Sequence, residues 1–194
     1  MEKRVQLKDG TEVVIRPMQV DDLDRSFEFF QALPEEDRIF LRVDVSQREQ
    51  VEARIRAMKS GSVKRIVAIA DDKIVADGAL ELTGQGWKEH VGELRLIVAR
   101  SFQRKGLGML MARELYGLAA AARVEEIVVR LMRPQYAAHS IFARLGFRQQ
   151  VLLPEYVKDR LGKKQDMILM RCDLEALWQE LEDYLAGGDW QRSR

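Results

Sequence analysis

The chain has little of the material from which covalent and metal scaffolds are built. It holds one cysteine, Cys172, and two histidines, His90 and His139, in 194 residues. A single thiol excludes an internal disulfide, and so few Cys and His side chains leave a metal site poorly supplied. An excess of charge is also missing, because 32 basic side chains meet 31 acidic ones for a formal net charge of +1. That balance gives no general electrostatic reason to bind nucleic acid or a membrane surface. No apolar run approaches a membrane span, and the opening MEKRVQLKDGTEVVIR lacks the apolar core of a signal peptide. A cytoplasmic location is therefore the expectation. Internal repeats and low-complexity segments are absent as well.

What remains is a globular composition, 46% apolar and 32% charged, long enough for a proper core. One domain is expected over residues 1–186, with its core at about 11–173 and a loose tail at 187–194. Hydrophobic periodicity predicts a first strand at Thr11–Arg16 and a helix capped by Asp21 or Asp22, with Leu23, Phe27, Phe30 and Leu33 on one face. Pro34 interrupts that helix. A second begins at Ser46, where Glu49 completes a capping box, and ends at Gly61. Strands follow at Arg65–Ala70, Lys73–Leu82 and Val91–Ala99, the first two joined at Asp71-Asp72. A helix at Leu107–Ala122, a strand at Glu125–Leu131 and a helix at Gln135–Leu145 come next. Strands at about Phe147–Leu152 and Asp166–Cys172 flank the polar stretch PEYVKDRLGKKQ, read as a loop. An amphipathic helix, Asp173–Leu185, either caps the core or packs on a second copy to make a homodimer. The fold class is thus mixed α/β (α+β): a largely antiparallel sheet of about seven strands with one parallel crossover and helices on both faces.

Between the third of these inner strands and the following helix stands Gln103-Arg104-Lys105-Gly106-Leu107-Gly108. Glycine at a helix start lets backbone N–H groups approach an anion, where the macrodipole adds partial positive charge. Arg100, Arg104 and Lys105 add charge beside those amides. A solvated strand-to-helix turn would look similar. Two phosphate motifs are excluded by spacing. A Walker loop needs Lys-Ser/Thr after its last glycine, and Met109-Leu110 follow Gly108; a dinucleotide fingerprint needs a small residue where Met111 stands.

Gln-x-x-Gly-x-Gly between a strand and an amphipathic helix resembles the acetyl-CoA motif of the GNAT superfamily of N-acetyltransferases. RPQYAAHSIFARLGF, Arg133–Phe147, is similar to the family's later motif, and the opening and closing segments resemble members too. The resemblance covers about Thr11 to Asp173 and implies a donor, acetyl-CoA, and an amine acceptor, with no metal. It places the pantetheine arm on the main chain of Leu96, Ile97 and Val98, and the pyrophosphate on the amides of Gln103, Arg104, Lys105, Gly106, Leu107, Gly108 and Met109. Gln135 and Phe142 fall at the family's later donor positions, where Asn and Tyr are common.

Amine acetylation needs a proton acceptor, an oxyanion donor and a proton for the leaving thiolate. Glu93, at the strand position where many members hold a base, is the first candidate; the alternative is a salt-bridged surface Glu, with Arg95 as a partner. Glu81 is a second carboxylate to consider, and a backbone N–H near Ile97 or Val98 is the oxyanion donor. Phe142 stands where the family often carries a Tyr acid and has no proton to give. His139, about one turn earlier, is a candidate, although a lone helical His is more often structural. For the acceptor, the resemblance points to Phe29, Phe30, Glu35, Glu36, Asp37 and Tyr156–Lys164. That acidic run favours a cationic amine, or else simply complements a helix dipole. A non-catalytic acyl-CoA-binding regulatory module on the same fold is the alternative to an enzyme, and Phe142 is its main support.

Overall fold

A computed structural model describes residues 2–82 and 86–174 of the chain. Among these, the strands are β1 (Lys3–Gln6), β2 (Glu12–Pro17), β3 (Val63–Ala70), β4 (Lys73–Leu82), β5 (Val91–Val98), β6 (Glu126–Met132), β7 (Arg148–Lys158) and β8 (Lys164–Asp173). The helices are α1 (Leu23–Ala32), α2 (Glu35–Arg38), α3 (Arg48–Arg56), α4 (Leu107–Ala121) and α5 (Tyr136–Arg144). The strands form one sheet in the order β1-β2-β3-β4-β5-β6-β8-β7. Every neighbouring pair is antiparallel except β5 and β6. The parallel pair is joined through α4, as a crossover requires. No helix among the described residues is long and apolar enough to cross a membrane.

Local chemistry fixes the elements that frame the centre of the sheet. Asp71 and Asp72 both take positive φ, 47° and 63°, so β3 and β4 meet through a two-residue turn whose twist suits a hairpin. On one face of the sheet, Leu107, Met111, Ala112, Leu115 and Ala119 of α4 lie fully buried against Leu80, Leu94, Ile127 and Val129. On the other, Phe29, Phe30, Leu33, Val51 and Ile55 of the α1–α3 segment cover Val67 and Ile74.

Four expectations change. The sheet has eight strands rather than about seven, because the short, mostly exposed β1 pairs with β2 ahead of the first predicted strand. The stretch PEYVKDRLGKKQ is mostly hairpin: β7 and β8 run on to Lys158 and Lys164, with register shifts between Gln149/Val151 and Leu153/Val157. Ser46 does not cap a helix; its hydroxyl and amide go to Asp44 Oδ1, and α3 starts at Arg48 with no side-chain cap. Asp22 is the N-cap residue of α1 but makes no side-chain bond to that helix, closing instead a capping box with Gln19 at the 3-10 turn Val20–Asp22. Its buried carboxylate accepts two hydrogen bonds of 2.7 Å from the Arg16 guanidinium and one of 2.8 Å from the Gln19 amide. The predicted helix Asp173–Leu185 and the tail 187–194 lie, beyond residue 174, outside the described residues.

Candidate active site

β5 and β6 pair only at Val91↔Glu126, Gly92↔Ile127 and Glu93↔Val128. Both then continue without each other, β5 to Val98 and β6 to Met132, leaving a wedge-shaped gap in the sheet. The Ala99 amide donates to Val75 O in β4 at 2.8 Å. Since successive residues of a strand turn their N–H and C=O to opposite sides, Leu96 and Val98 direct theirs away from β4, into the gap. Of the main chain that the resemblance singled out, Leu96 and the Val98 N–H thus face the gap without a strand partner, whereas Ile97 pairs with β4. The expected oxyanion N–H narrows to Leu96 or Val98; that of Ile97 turns toward β4.

At the open end of the gap lies the glycine loop. Gln103 locks it to the strand, its Nε2 donating to Val98 O at 3.0 Å, while its own amide donates to Arg100 O at 3.2 Å. Arg104 and Gly106 both have positive φ, 60° and 94°, and Gly106 is the N-cap of α4. The first cap bond is Leu110 N–H to Gly106 O, so the amides of Leu107, Gly108 and Met109 have no acceptor among the described residues. Arg104 and Lys105 amides have none either. The amides over 104–109, without that of Gln103, are thus left in the arrangement in which a helix start can receive an anion. The glycines have reasons besides ligand access. Gly106 holds a left-handed conformation that side chains resist, and a Cβ on Gly108 would stand 2.8 Å from Ile141 Cδ1 of α5. Of the expected cations, Arg100 is held by Glu36 at 2.7 Å and Asp37 at 3.1 Å, and Lys105 by Asp9 at 2.8 Å. Lys105 draws the Asp9 carboxyl down to about 2, chiefly through that hydrogen bond. Arg104 is exposed and has no ion-pair partner among the described residues.

Beneath the gap, on the α3 side of the sheet, is a cavity of about 320 Å³. Its rim at Leu131, Gln135 and Phe142 opens toward the β5–β6 gap. Gln135 accepts the Met132 amide through Oε1 at 2.8 Å, which pins the start of α5. Phe142 is 2% exposed and packs edge-on against Phe147, with ring centroids 5.1 Å apart, so it supplies a wall and no proton. His139 lies half-buried on α5 outside the cavity lining.

The floor of the cavity is charged. Strand registers put Arg65, Asp77, Glu81, Glu93 and Arg95 on one face of β3, β4 and β5, where alternation in β6 adds Arg130. Arg42 and Arg54 reach in from above. Asp77, 3% exposed, takes Arg65 and Arg54 on the same oxygen, Oδ1, the latter at 3.2 Å. Its Oδ2 has no hydrogen-bond partner, and neither do the buried Nε atoms of Arg65 and Arg95. Arg95 pairs with Glu81 at 2.6 Å. Glu93 is bound on one oxygen by Arg42 and on the other by Arg130 at 3.1 Å, and it does not line the cavity. The carboxylate expected as proton acceptor is thus an ion-paired residue, with partners other than the expected Arg95. Burial pushes the Arg54 guanidinium down to about 10, the charges of Arg65 and Arg95 adding to it against Asp77. Burial, then the charge of Arg42, also lowers Arg95.

The residues expected around the acceptor separate. Phe29 and Phe30 are buried in the core, and Glu36 and Asp37 serve Arg100. Asp77, Arg65, Arg54 and Arg42 escaped sequence reasoning. For Arg65 and Asp77, a charge set beside or among the apolar residues of RIVAIA and KIVADGALEL was the available signal.

By sequence, residues 63–149 match the family described as Acetyltransferase (GNAT) domain, a span from β3 to the start of β7. No curated protein matches the chain. Among solved structures, it is similar to ribosomal-protein-alanine N-acetyltransferase from Brucella melitensis, at 18% identity and TM-score 0.72 over 82% of this chain and 99% of that one. The ribosomal-protein-S5-alanine acetyltransferase from Vibrio fischeri superposes with TM-score 0.75 at 14% identity, over 89% and 96% of the two chains. The yncA protein of Salmonella typhimurium, whose structure holds acetyl-CoA, gives 0.72 at 17% identity over 84% and 94%.

Proposed function

This chain carries an acetyltransferase domain of the GNAT superfamily, and on that premise we propose that it moves an acetyl group from acetyl-CoA to a primary amine. The observation that carries the reading is the gap itself: the main chain of Leu96 and the Val98 N–H, which face it without a strand partner, run directly into free amides at 104–109. In this reading the pantetheine arm pairs with that strand edge, and the pyrophosphate sits on the start of α4 beside the Arg104 side chain. The thioester then lies by Ile97, next to Gln135 and the Phe142 wall. An amine entering the 320 Å³ cavity meets it from the α3 side.

Asp77, paired with Ile97 across β4 and β5, has one oxygen free of partners and takes the amine's proton. The nitrogen lone pair attacks the thioester carbon, and the developing oxyanion is met by a gap-facing N–H of Leu96 or Val98. As the C–N bond forms the C–S bond breaks, and the coenzyme A thiolate leaves with the electron pair and takes up, by way of water, the proton that the acylated nitrogen sheds. Glu93 holds Arg42 and Arg130 in the wall instead of moving a proton.

The test is thermal stabilisation by acetyl-CoA, followed by release of coenzyme A thiol across a panel of amines. Stabilisation with acceptor-dependent thiol release is the expected result. Stabilisation with no release on any amine is the signature of a non-catalytic acyl-CoA module, which the buried Phe142 favours. No stabilisation at millimolar acetyl-CoA refutes the donor site. Reversing the free charge, Arg104→Glu, should weaken acetyl-CoA and coenzyme A alike by about tenfold. Unchanged affinity would move the pyrophosphate elsewhere.

A further inference from the structure

The cavity has an unbalanced charge that the transfer reaction alone does not require. Five guanidinium groups, from Arg42, Arg54, Arg65, Arg95 and Arg130, line it, against the carboxylates of Asp77 and Glu81. Counting Glu93, which ties Arg42 to Arg130 from outside the lining, two positive charges remain in excess. The pairing is economical in a particular way: Asp77 and Glu93 each serve two arginines, so no guanidinium has a carboxylate to itself except Arg95. Buried donors are left over at Arg65 Nε and Arg95 Nε, and one buried acceptor at Asp77 Oδ2. Buried polar groups are rarely left in that state unless something else completes them.

A purely cationic acceptor would enter a field of its own sign. One with an anionic group would find guanidinium donors short of acceptors. The nucleophile must still be an amine, and its ammonium form needs an acceptor near Ile97, which Asp77 supplies. The volume, shared with the end of the donor, suits a molecule of a few heavy atoms and not a folded protein surface.

We propose that the acceptor is a small zwitterionic amine of the α-amino-acid type, its carboxylate held by Arg95 and Arg42 and its ammonium by Asp77. This rests on the acetyl-transfer reading above. It deepens that reading by giving the acceptor a charge pattern. Arg54 and Arg65 fix the Asp77 carboxylate in place, and Glu81 fixes Arg95.

The experiment uses the full chain with acetyl-CoA and matched acceptors: a set of α-amino acids, each beside its carboxamide and its decarboxylated amine, with a polyamine and a Lys peptide as further arms. Coenzyme A thiol release gives kcat/KM for each, and calorimetry gives binding in the presence of coenzyme A. At least one amino acid should exceed its own carboxamide by about 100-fold, the worth of a charge-assisted contact to a buried guanidinium. Arg95→Gln should collapse that acid-to-amide ratio toward one while the thermal shift caused by acetyl-CoA persists. Arg42→Gln repeats the measurement should the first variant not fold, and the matched acceptors need no variant at all. Carboxamides, the polyamine or the peptide matching or beating the amino acids overturns the proposal and leaves the donor site standing. So does a panel in which no amino acid binds or reacts although acetyl-CoA stabilises the protein. Failure of acetyl-CoA itself to stabilise removes the acetyl-transfer reading and this inference with it.

Discussion

The two faces of the central sheet are built on opposite principles from the same strands. Toward α4, Leu80, Leu94, Ile127 and Val129 meet Met111 and Leu115 in a layer that is dry and apolar. Toward α3, one residue along each strand, Arg65, Asp77, Glu81, Glu93, Arg95 and Arg130 make a layer of ion pairs. The first face stabilises through area removed from water, about 25 cal/mol per Å². The second gains little net stability from its charges, because desolvation offsets much of the attraction between buried ions. Apolar side chains of similar volume would fill that layer as well or better. Its charge therefore makes sense as provision for what enters the cavity, and the fold's stability is left to the opposite face and to the apolar patch under α1 and α3.

Substitutions can break that contrast in graded steps. The largest effect is expected at Arg65→Met, which leaves Asp77 buried with only Arg54 for company and should cost about 3–5 kcal/mol in urea unfolding. Adding Asp77→Leu and Arg54→Met to it should recover most of that loss, since all three charges of the cluster then go together. A triple variant as unstable as the single one would mean that the ion pairs, and not the avoidance of an orphaned charge, hold this face. On the apolar face Leu115→Ala should cost about 3 kcal/mol through lost burial and a cavity, with no partner substitution able to restore it by charge. A loss below about 1 kcal/mol would show that α4 packs less closely than its full burial indicates. The smallest effect belongs to the loop where the gap opens. Gly106→Ala should lose about 1–2 kcal/mol because its φ of 94° is left-handed. Gly108→Ala should lose less, because Ile141 Cδ1, the atom in its way, is the end of a side chain that can turn. Equal losses at the two positions would contradict the separate reasons assigned to them.

Much of the framework was legible before any coordinates. Periodicity placed β3, β4, β5, β6, α4 and α5 within about two residues, because each carries an apolar stripe that must face a core. It missed β1, whose KRVQ has no such stripe and gains its place from the backbone of β2. It read PEYVKDRLGKKQ as loop for the same reason: polar residues there extend a hairpin because the partner strand supplies the hydrogen bonds. The glycine loop stood out by spacing, and its amides over 104–109, though not that of Gln103, lack acceptors among the described residues. The charged cavity did not stand out. Glu93 was noticed alone, and its two arginine partners come from positions 42 and 130, which no local pattern connects.

Sequence by itself determined which stretches pair into strands, where α4 begins, and that neither a nucleoside-triphosphate loop nor a dinucleotide fingerprint occupies that start, because these follow from residue types at short separation. Only the tertiary structure decided that β5 and β6 part after Glu93 and that Gly108 faces Ile141 of α5. The meeting of five arginines over one cavity was likewise decided there. Those outcomes depend on which face each strand turns inward and on which distant segments then share a volume, and a sum of long-range contacts is not written in any one window of the chain.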